Sequence, residues 1–347
     1  VGHGLYYKQH HTAQRIYERL VEEQGYTGSY SVVQRYLKKC RSVQTEKANL
    51  ELVWDPGPAQ VDFGEADFYE SGKLIRKKYL TLSFPYSNDG YSQVFGGETA
   101  ECVCQGLVDI FEFIGGVPPL LIFDNATGVG RRIGDVIHEA ELFSRFRAHY
   151  HFRVRFCNPY SGWEKGNVEN KVGYLRRNHL VPIPRFDDLT EQNKQFLVCC
   201  ETDMQREHYE DGNGCFIREL FEEDVAHLRP LPSVPFDTAN YITAKTDRYG
   251  KFTLDAGKHR YSASPVFCES IVNLKITSAS VTVLDQDMHE IVRHKRLYGS
   301  DHESMDWVPY LAYIARKPRS LRNSGIYDMM PQTMRLYMDS CESKDRG

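Results

Sequence analysis

The sequence predicts a multidomain α/β protein, and three observations carry this prediction. Residues 59–188 alternate between strand and helix patterns, which is typical of one sheet covered by helices. Three acidic residues, Asp62, Asp124 and Glu169, lie within these elements or at their ends. From about residue 239 the pattern changes to short alternating strands, which indicates a separate β unit.

A chain of 347 residues has room for roughly two to four domains. We divide it into a helix-turn-helix DNA-binding region that is incomplete at its N-terminus (1–45), a linker (46–58), an α/β core (59–188), a helical connector (189–236), a small β-barrel (237–298) and a helical tail (299–347). Because the first residue is Val1, we expect the full protein to continue upstream.

The N-terminal region reads as two helices joined by a tight turn at 25–28, with Ser29 or Ser31 capping the second helix. The apolar residues expected on its inward side are Val32, Val33, Tyr36 and Leu37. Its outward side offers polar and basic groups suited to base edges and phosphates, namely Ser31, Gln34, Arg35, Lys38 and Lys39. An ordinary helical hairpin with a solvated basic face is the alternative.

The α/β core reads as strand, strand, strand, helix, strand, helix, strand, helix. The second core helix is predicted at about 137–150, and the last begins near Val168. This order is that of a ribonuclease-H-like sheet, in which acids at the strand ends converge. The core therefore predicts one site built from residues that are far apart in sequence.

Three carboxylates suit the chemistry of phosphodiester bonds. Two divalent ions about 3.5 to 4 Å apart activate the attacking oxygen and stabilise the leaving one. Mg²⁺ prefers oxygen ligands, so no His or Cys is required, and Mn²⁺ is a substitute. We expect Asp62 to bridge both ions while Asp124 and Glu169 each complete one site. The competing acids nearby are Glu65, Asp67 and Glu164.

Charged residues are unevenly distributed along the chain. The net charge is −4, yet residues 1–49 hold eight Lys or Arg against four Glu. Residues 201–224 hold nine Asp or Glu against two Arg, which reads as a solvated acidic face. Cations near Glu169 could face DNA phosphates, namely Lys165, Lys171, Arg176 and Arg177.

Cellular location is predicted from what the sequence lacks. It contains no apolar run of about 18 residues and no signal-peptide pattern. Its nine cysteines include no Cys-x-x-Cys pair, which argues for reduced thiols and against a zinc site. We therefore expect the bacterial cytosol, in association with the nucleoid, and no membrane partner.

Three stretches that carry the acids resemble the acidic motifs of IstA-type transposases, the insertion-sequence-21 group of the DDE superfamily. They are Gln-Val-Asp-Phe-Gly at 60–64, Phe-Asp-Asn-Ala at 123–126 and Gly-Trp-Glu-Lys-Gly-Asn-Val-Glu-Asn at 162–170. The third motif is the most specific. Tyr-Thr-Gly-Ser-Tyr-Ser at 26–31 extends the resemblance, and the predicted barrel is similar to that of bacteriophage Mu transposase. The family's N-terminal helices are missing or shortened here.

The resemblance implies a transposase that binds terminal inverted repeats, cleaves the 3′ ends of the transposon and joins them to target DNA. It also implies a homo-oligomer on paired double-stranded DNA ends, an IstB-like AAA+ ATPase as partner, and Asp62, Asp124 and Glu169 as metal-binding catalytic acids. The alternatives are a nuclease or recombinase of the same fold, and an inactive DNA-binding regulator. A hydrolase with paired carboxylates would leave the helix-turn-helix unexplained.

Overall fold

The computed structural model describes residues 13–43, 53–123, 128–133, 136–157, 166–208, 215–316 and 325–342. The chain divides into two compact units, residues 1–52 and 53–347. The boundary lies inside the segment that the sequence predicts as a linker.

The first unit contains two helices, α1 (Ala13–Gln24) and α2 (Tyr30–Val43), joined by residues 25–29. The ring of Tyr17 on α1 packs edge-on against Tyr30, with ring centroids 5.7 Å apart. Such aromatic pairs add to the stability that apolar burial provides. The two predicted helices and the turn between them are therefore present.

The predicted polar side of α2 is exposed as expected, whereas its predicted apolar side is only partly buried. Val33 is buried, whereas Val32 and Tyr36 are 51% and 67% exposed. The expectation that both of these side chains point inward was wrong, because a helix with one neighbouring helix buries only a narrow stripe. The predicted outward residues are all exposed: Ser31, Gln34, Arg35, Lys38 and Lys39.

The second unit begins with an α/β core. Its elements in chain order are β1 (Ala59–Glu70), β2 (Lys73–Phe84), β3 (Asp89–Phe95), α3 (Ala100–Ile114), β4 (Leu120–Phe123), β5 (Gly130–Ile133), β6 (Val136–Glu139), α4 (Glu141–Tyr150), β7 (Arg153–Phe156), α5 (Gly166–Asn178), β8 (Arg185–Phe186), α6 (Leu189–Thr202) and α7 (Ile217–Ala226). A short 3₁₀ helix, Asp203–Gln205, follows α6.

The core sheet has the strand order β3-β2-β1-β4-β7. The first three strands are antiparallel, and β4 and β7 run parallel to β1. The succession of three strands, helix, strand, helix, strand and helix agrees with the prediction. The hairpin of β5 and β6 is an addition. Ile137, predicted in a helix, pairs with Arg132 in this hairpin, as β-branched residues favour strands.

The helices cover both faces of the core sheet. A Cβ added to Gly106 of α3 would come within 2.9 Å of Leu80, whereas the neighbouring Tyr79 bonds to Val172 of α5. Adjacent residues of a strand point to opposite faces. Helices α3 and α5 therefore lie on opposite faces, and α4 packs beside α3.

Helix α6 lies against the edge strand β3. The side-chain amide of Asn193 accepts from Val94 N–H at 2.7 Å and donates to Val94 C=O at 3.0 Å. Asn193 thereby satisfies two backbone groups of the edge strand and covers it, which protects the edge from pairing with other chains.

Two further sheets follow the core. One contains β9 (Asn240–Lys245), β12 (Ile271–Ile276), β13 (Ser280–Leu284) and β14 (Glu290–Lys295), and the other contains β10 (Lys251–Leu254), β11 (His259–Ser262) and β15 (Glu303–Ser304). They share one apolar cluster that includes Phe252, Tyr261 and Val281.

The predicted small β-barrel is not closed among the described residues. The strands form two separate hydrogen-bonded sheets of four and three strands. Alternating periodicity does not distinguish these arrangements, because closure depends on which strands pair. The β region also extends beyond its predicted end at residue 298, since β15 pairs with β11.

The sheets are attached to the core through Tyr298. Its hydroxyl donates to Ser278 C=O at 2.7 Å and lies 3.2 Å from Cys102 Sγ of α3. Its ring occupies the space that a Cβ would need at Gly96 and Gly97. The two glycines therefore permit a close approach between core and sheets.

The tail contains α8 (Leu311–Arg316), α9 (Gly325–Met329) and α10 (Gln332–Glu342). Tyr310, Ile314 and Met330 form its small buried cluster. A helical tail was predicted from residue 299; strand β15 occupies residues 303–304 of it, and the helices follow.

Candidate active site

Asp62 differs from its neighbouring acids in what faces it across the β1–β2 hairpin. Asp62 is paired with Thr81, whereas Glu65 is paired with Lys78 and Asp67 with Arg76. Glu65 and Lys78 form an ion pair, and Arg76 Nε lies 2.9 Å from Asp67 Oδ1. The two competing acids therefore neutralise cations on the hairpin surface. Asp62 is partly exposed, and the residue opposite it across the hairpin is Thr81.

Strand β4 ends beside Asp62. Phe123, the last residue of β4, pairs with Val61, the residue before Asp62. Asp124 follows Phe123 in sequence but lies outside the described residues, as do Glu164 and Lys165. The residue immediately before the second predicted acid therefore lies next to the residue immediately before the first.

The third predicted acid, Glu169, lies in the first turn of α5 and is exposed. An acidic group at this position also interacts favourably with the helix dipole, so a structural role alone would explain it. Arg176 and Arg177 are exposed in the last turn of α5. Their placement agrees with the predicted basic surface.

The predicted role of Lys171 in DNA binding was wrong, because its side chain is buried. Lys171 lies on the inward stripe of α5 with Val168, Val172 and Leu175, and is only 3% exposed. It is three residues after Val168, which is the spacing of a helix face. Burial lowers the pKa of its ammonium group, which is partly offset by Asp89 and by Asp203.

Two hydrogen bonds tie α5 to the strands beneath it. The backbone N–H of Val168 donates to Gln60 Oε1 at 3.1 Å, and the hydroxyl of Tyr79 donates to Val172 C=O at 2.9 Å. Gln60 and Asp62 are two residues apart on β1, so their side chains share a face of the sheet. Asp62 and the first turn of α5 therefore lie on the same face.

A cluster of polar side chains around Asp203 connects α5 to the segment that follows α6. Asp203, in the 3₁₀ helix after α6, accepts from Tyr174 Oη at 2.7 Å and from Arg206 Nε and Nη2 at 2.8 and 2.7 Å. Its carboxylate also lies 3.8 Å from Lys171 Nζ and 3.7 Å from His179 Nε2. This cluster fixes the helix that carries Glu169.

Two acids interact with Lys171, namely Asp203 and Asp89, and the pKa of each is shifted. Burial alone would raise the pKa of Asp203, but His179, Arg206 and Tyr174 hold it well below its usual range. Burial raises the pKa of Asp89 to about 7, against the effect of the neighbouring Lys171.

Sequence reasoning missed Gln60, Tyr79 and Asp203. The available signal for Gln60 was a polar residue inside an apolar strand run, two positions before Asp62. No comparable signal identified Asp203, which lies in an acidic segment that resembles a solvated surface.

The described donors fit a hard divalent cation. Asp62 is partly exposed and Glu169 is exposed, and carboxylate oxygens are the ligands that Mg²⁺ prefers. A different group, Asp285, Asp287 and His289, lies in the turn between β13 and β14. There Asp285 Oδ1 accepts the backbone N–H of Asp287 and of His289 at 2.9 and 2.8 Å. These bonds stabilise the turn and are unrelated to the core sheet.

Within the described part of the chain, none of the helices has the length and hydropathy needed to span a membrane.

Comparison with curated proteins finds transposases. A transposase of Aminobacter aminovorans is 28% identical over 98% of this chain and 69% of its own length. A transposase for insertion sequences IS1326/IS1353 of Pseudomonas aeruginosa is 26% identical over 88% of the chain and 62% of its own length. The transposase for insertion sequence IS21 of Pseudomonas aeruginosa is 25% identical over 74% of the chain and 66% of its own length. No family model matches the sequence.

Solved structures show a weaker likeness. The match to a chain of a simian T-cell lymphotropic virus intasome covers 78% of this chain and 92% of the intasome chain, with 12% identity and a TM-score of 0.37. The HTLV-2 integrase catalytic core in complex with magnesium covers 48% of this chain and 97% of its own, with 14% identity and a TM-score of 0.33. These likenesses are too weak to establish a common fold. The sequence comparisons show that the chain is similar, over 74% to 98% of its length, to transposases of bacteria, two of which are transposases for insertion sequences.

Proposed function

We propose that this protein is an IstA-type DDE transposase with a ribonuclease-H-like core. It would cleave the 3′ ends of its transposon and join them to target DNA by phosphoryl transfer. One observation carries the proposal: Asp62 and the first turn of α5 share a face of the core sheet, and β4 ends beside Asp62. The similarity to transposases over 98% of the chain supports it.

We assign Asp62, Asp124 and Glu169 as the ligands of two Mg²⁺ ions, with Mn²⁺ as a substitute. When bound, such ions activate the attacking oxygen and stabilise the leaving oxygen. Asp62 stands on the strand that pairs with both β2 and β4. Strand β1 is the middle strand of the core sheet, and ligands on strands are held more precisely than ligands on loops.

DNA would contact two surfaces. The exposed side of α2 would read the terminal repeat as the second helix of a helix-turn-helix, through Ser31, Gln34, Arg35, Lys38 and Lys39. Near the acids, Arg176, Arg177 and Lys165 would hold phosphates, whereas Lys171 is excluded by its burial.

The remaining parts of the proposal rest on resemblance alone. We propose a homo-oligomer assembled on paired transposon ends, an IstB-like AAA+ ATPase as partner, and activity on nucleoid DNA in the bacterial cytosol. The chain matches 62% to 69% of the length of these relatives, so the activity of a whole transposase is part of the proposal.

The test compares Asp62→Asn with Asp67→Asn in an assay of Mg²⁺-dependent cleavage at the end of the transposon. Asp67 is a matched control because it lies on the same strand and is engaged with Arg76 on the surface. We expect Asp62→Asn to abolish cleavage, Asp67→Asn to retain it, and both variants to bind the end as the wild type does. Cleavage by Asp62→Asn at the wild-type rate would overturn the assignment.

A second readout separates the alternatives. A nuclease of the same fold would cleave without joined products, and a regulator would bind the end without metal-dependent cleavage. Removal of residues 1–45 should abolish selective binding of the repeat. Selective binding by the truncated protein would show that the helix-turn-helix assignment is wrong.

A further inference from the structure

We propose that Gln60 and Tyr79 are positioning residues that hold α5 in register with β1, and so fix Glu169 relative to Asp62. The inference rests on the proposed function, because it concerns the placement of two of its assigned metal ligands. We refer to the bonds from Gln60 and Tyr79 to α5 as the α5 anchor.

Gln60 accepts a backbone hydrogen bond at the start of α5. The first N–H groups of a helix have no partner within it and need acceptors from elsewhere. The N–H of Val168 donates to Gln60, which comes 108 residues earlier in the chain and is 1% exposed. The helix start is therefore attached to the central strand.

Tyr79 provides the second point of attachment, one turn further along α5. Its side chain is fully buried, and its hydroxyl donates to Val172 C=O. Gly64 is paired with Tyr79 across the hairpin, and a Cβ at Gly64 would overlap the tyrosine ring. The missing side chain at Gly64 thus leaves the space in which the Tyr79 ring reaches α5.

The anchor connects the two acids by a short path. Gln60 is two residues from Asp62 on the same face of β1, and Val168 immediately precedes Glu169. Two attachment points one turn apart oppose both sliding and rotation of the helix. Catalytic geometry must hold within about 0.5 Å, and a misplacement of about 1 Å costs on the order of 100-fold in rate.

The test uses Gln60→Leu and Tyr79→Phe, which remove the acceptor and the donor of the anchor. Tyr261→Phe is the matched control. Tyr261 is a fully buried tyrosine of β11, and its hydroxyl accepts the Leu297 N–H at 2.9 Å.

Binding of Mn²⁺ is measured by electron paramagnetic resonance, with the full chain bound to a pre-cleaved transposon-end oligonucleotide. Loss of a group that orients metal ligands typically weakens metal binding by about 10- to 100-fold. We expect Gln60→Leu and Tyr79→Phe to raise the Kd for Mn²⁺ by about 10-fold. Tyr261→Phe should retain wild-type affinity, and DNA-end binding and urea midpoints should show that each variant is folded.

The outcomes separate this inference from the proposed function. Wild-type Mn²⁺ affinity in Gln60→Leu and Tyr79→Phe would overturn the positioning role while leaving the proposed function intact. Equal weakening in Tyr261→Phe would also overturn it, because any buried hydroxyl would then have the same effect. Absence of Mn²⁺ binding by the wild type would instead contradict the metal-dependent function.

Discussion

Replacement of Asp203 by Asn is expected to destabilise the α/β core strongly. The carboxylate of Asp203 is 7% exposed and receives three hydrogen bonds from Tyr174 and Arg206. Lys171, 3.8 Å away and 3% exposed, would lose one of its two negative partners. Removal of one member of a buried ion pair costs about 3 to 5 kcal/mol. We expect about 3 kcal/mol, the lower end of that range, because Asp89 still acts on Lys171.

The effect should depend on pH. The pKa of Asp203 lies below its value in the unfolded chain, about 3.9, so its carboxylate stabilises the folded protein above that pH. This stabilisation is lost as the pH falls through the folded-state pKa. Asparagine does not titrate, so the difference between wild type and variant should be full at pH 7 and should shrink below about pH 4.

The assay is urea unfolding followed by circular dichroism at several pH values. A loss of about 3 kcal/mol corresponds to a midpoint about 1 M lower when the urea dependence is about 3 kcal/mol per molar. Adding Lys171→Met to Asp203→Asn should recover part of the loss, since the buried ammonium group is then absent and Asp89, whose pKa burial raises to about 7, takes up a proton more readily than an ordinary carboxylate. A loss below about 1 kcal/mol, or one that is unchanged at pH 3, would refute the reasoning.

Three further predictions concern the surroundings of the site. Gly173→Ala should raise the free energy of unfolding by up to about 1 kcal/mol, because the nearest atom to its Cβ would be the flexible end of the Arg177 side chain, 3.0 Å away. A urea midpoint lower than that of the wild type would contradict this. Gly64→Ala should cost about 1 to 3 kcal/mol in the same assay, because its Cβ would displace the buried ring of Tyr79, and an unchanged midpoint would show that the ring yields freely. Arg176→Gln should reduce the slope of log binding constant against log salt by about 1 for DNA, whereas Lys171→Met should leave that slope unchanged. A reduced slope in Lys171→Met would restore the original prediction for that residue.

The order of elements in the core was predictable because strand and helix periodicities differ and the core elements are long enough to show them. Strands β1 and β2, at twelve residues each, carry clear patterns. The four-residue strand β6 does not, and its last three residues were predicted as the start of a helix. The pairing that decides between a barrel and two sheets involves residues far apart in sequence, which periodicity does not reveal.

The sequence predicted the types of residue in the candidate site better than it predicted their burial and their partners. The exposed face of α2 followed from helical spacing, and so did the exposure of Arg176 and Arg177. Lys171 was misassigned because charge outweighed its spacing from Val168. Asp203 was misread because a buried acid can be recognised only from its partners, and three of these, on α5 and after it, precede it by 24 to 32 positions.

The central claim is tested most directly by a joining assay with a pre-cleaved transposon-end oligonucleotide, a plasmid target and Mg²⁺. The wild type is compared with Glu169→Gln and with Glu164→Gln, the neighbouring acid of the same motif. We predict joined product from the wild type and from Glu164→Gln, and none from Glu169→Gln. Joining by Glu169→Gln at the wild-type rate would contradict the assignment of Glu169, and end binding without joining by the wild type would favour an inactive regulator.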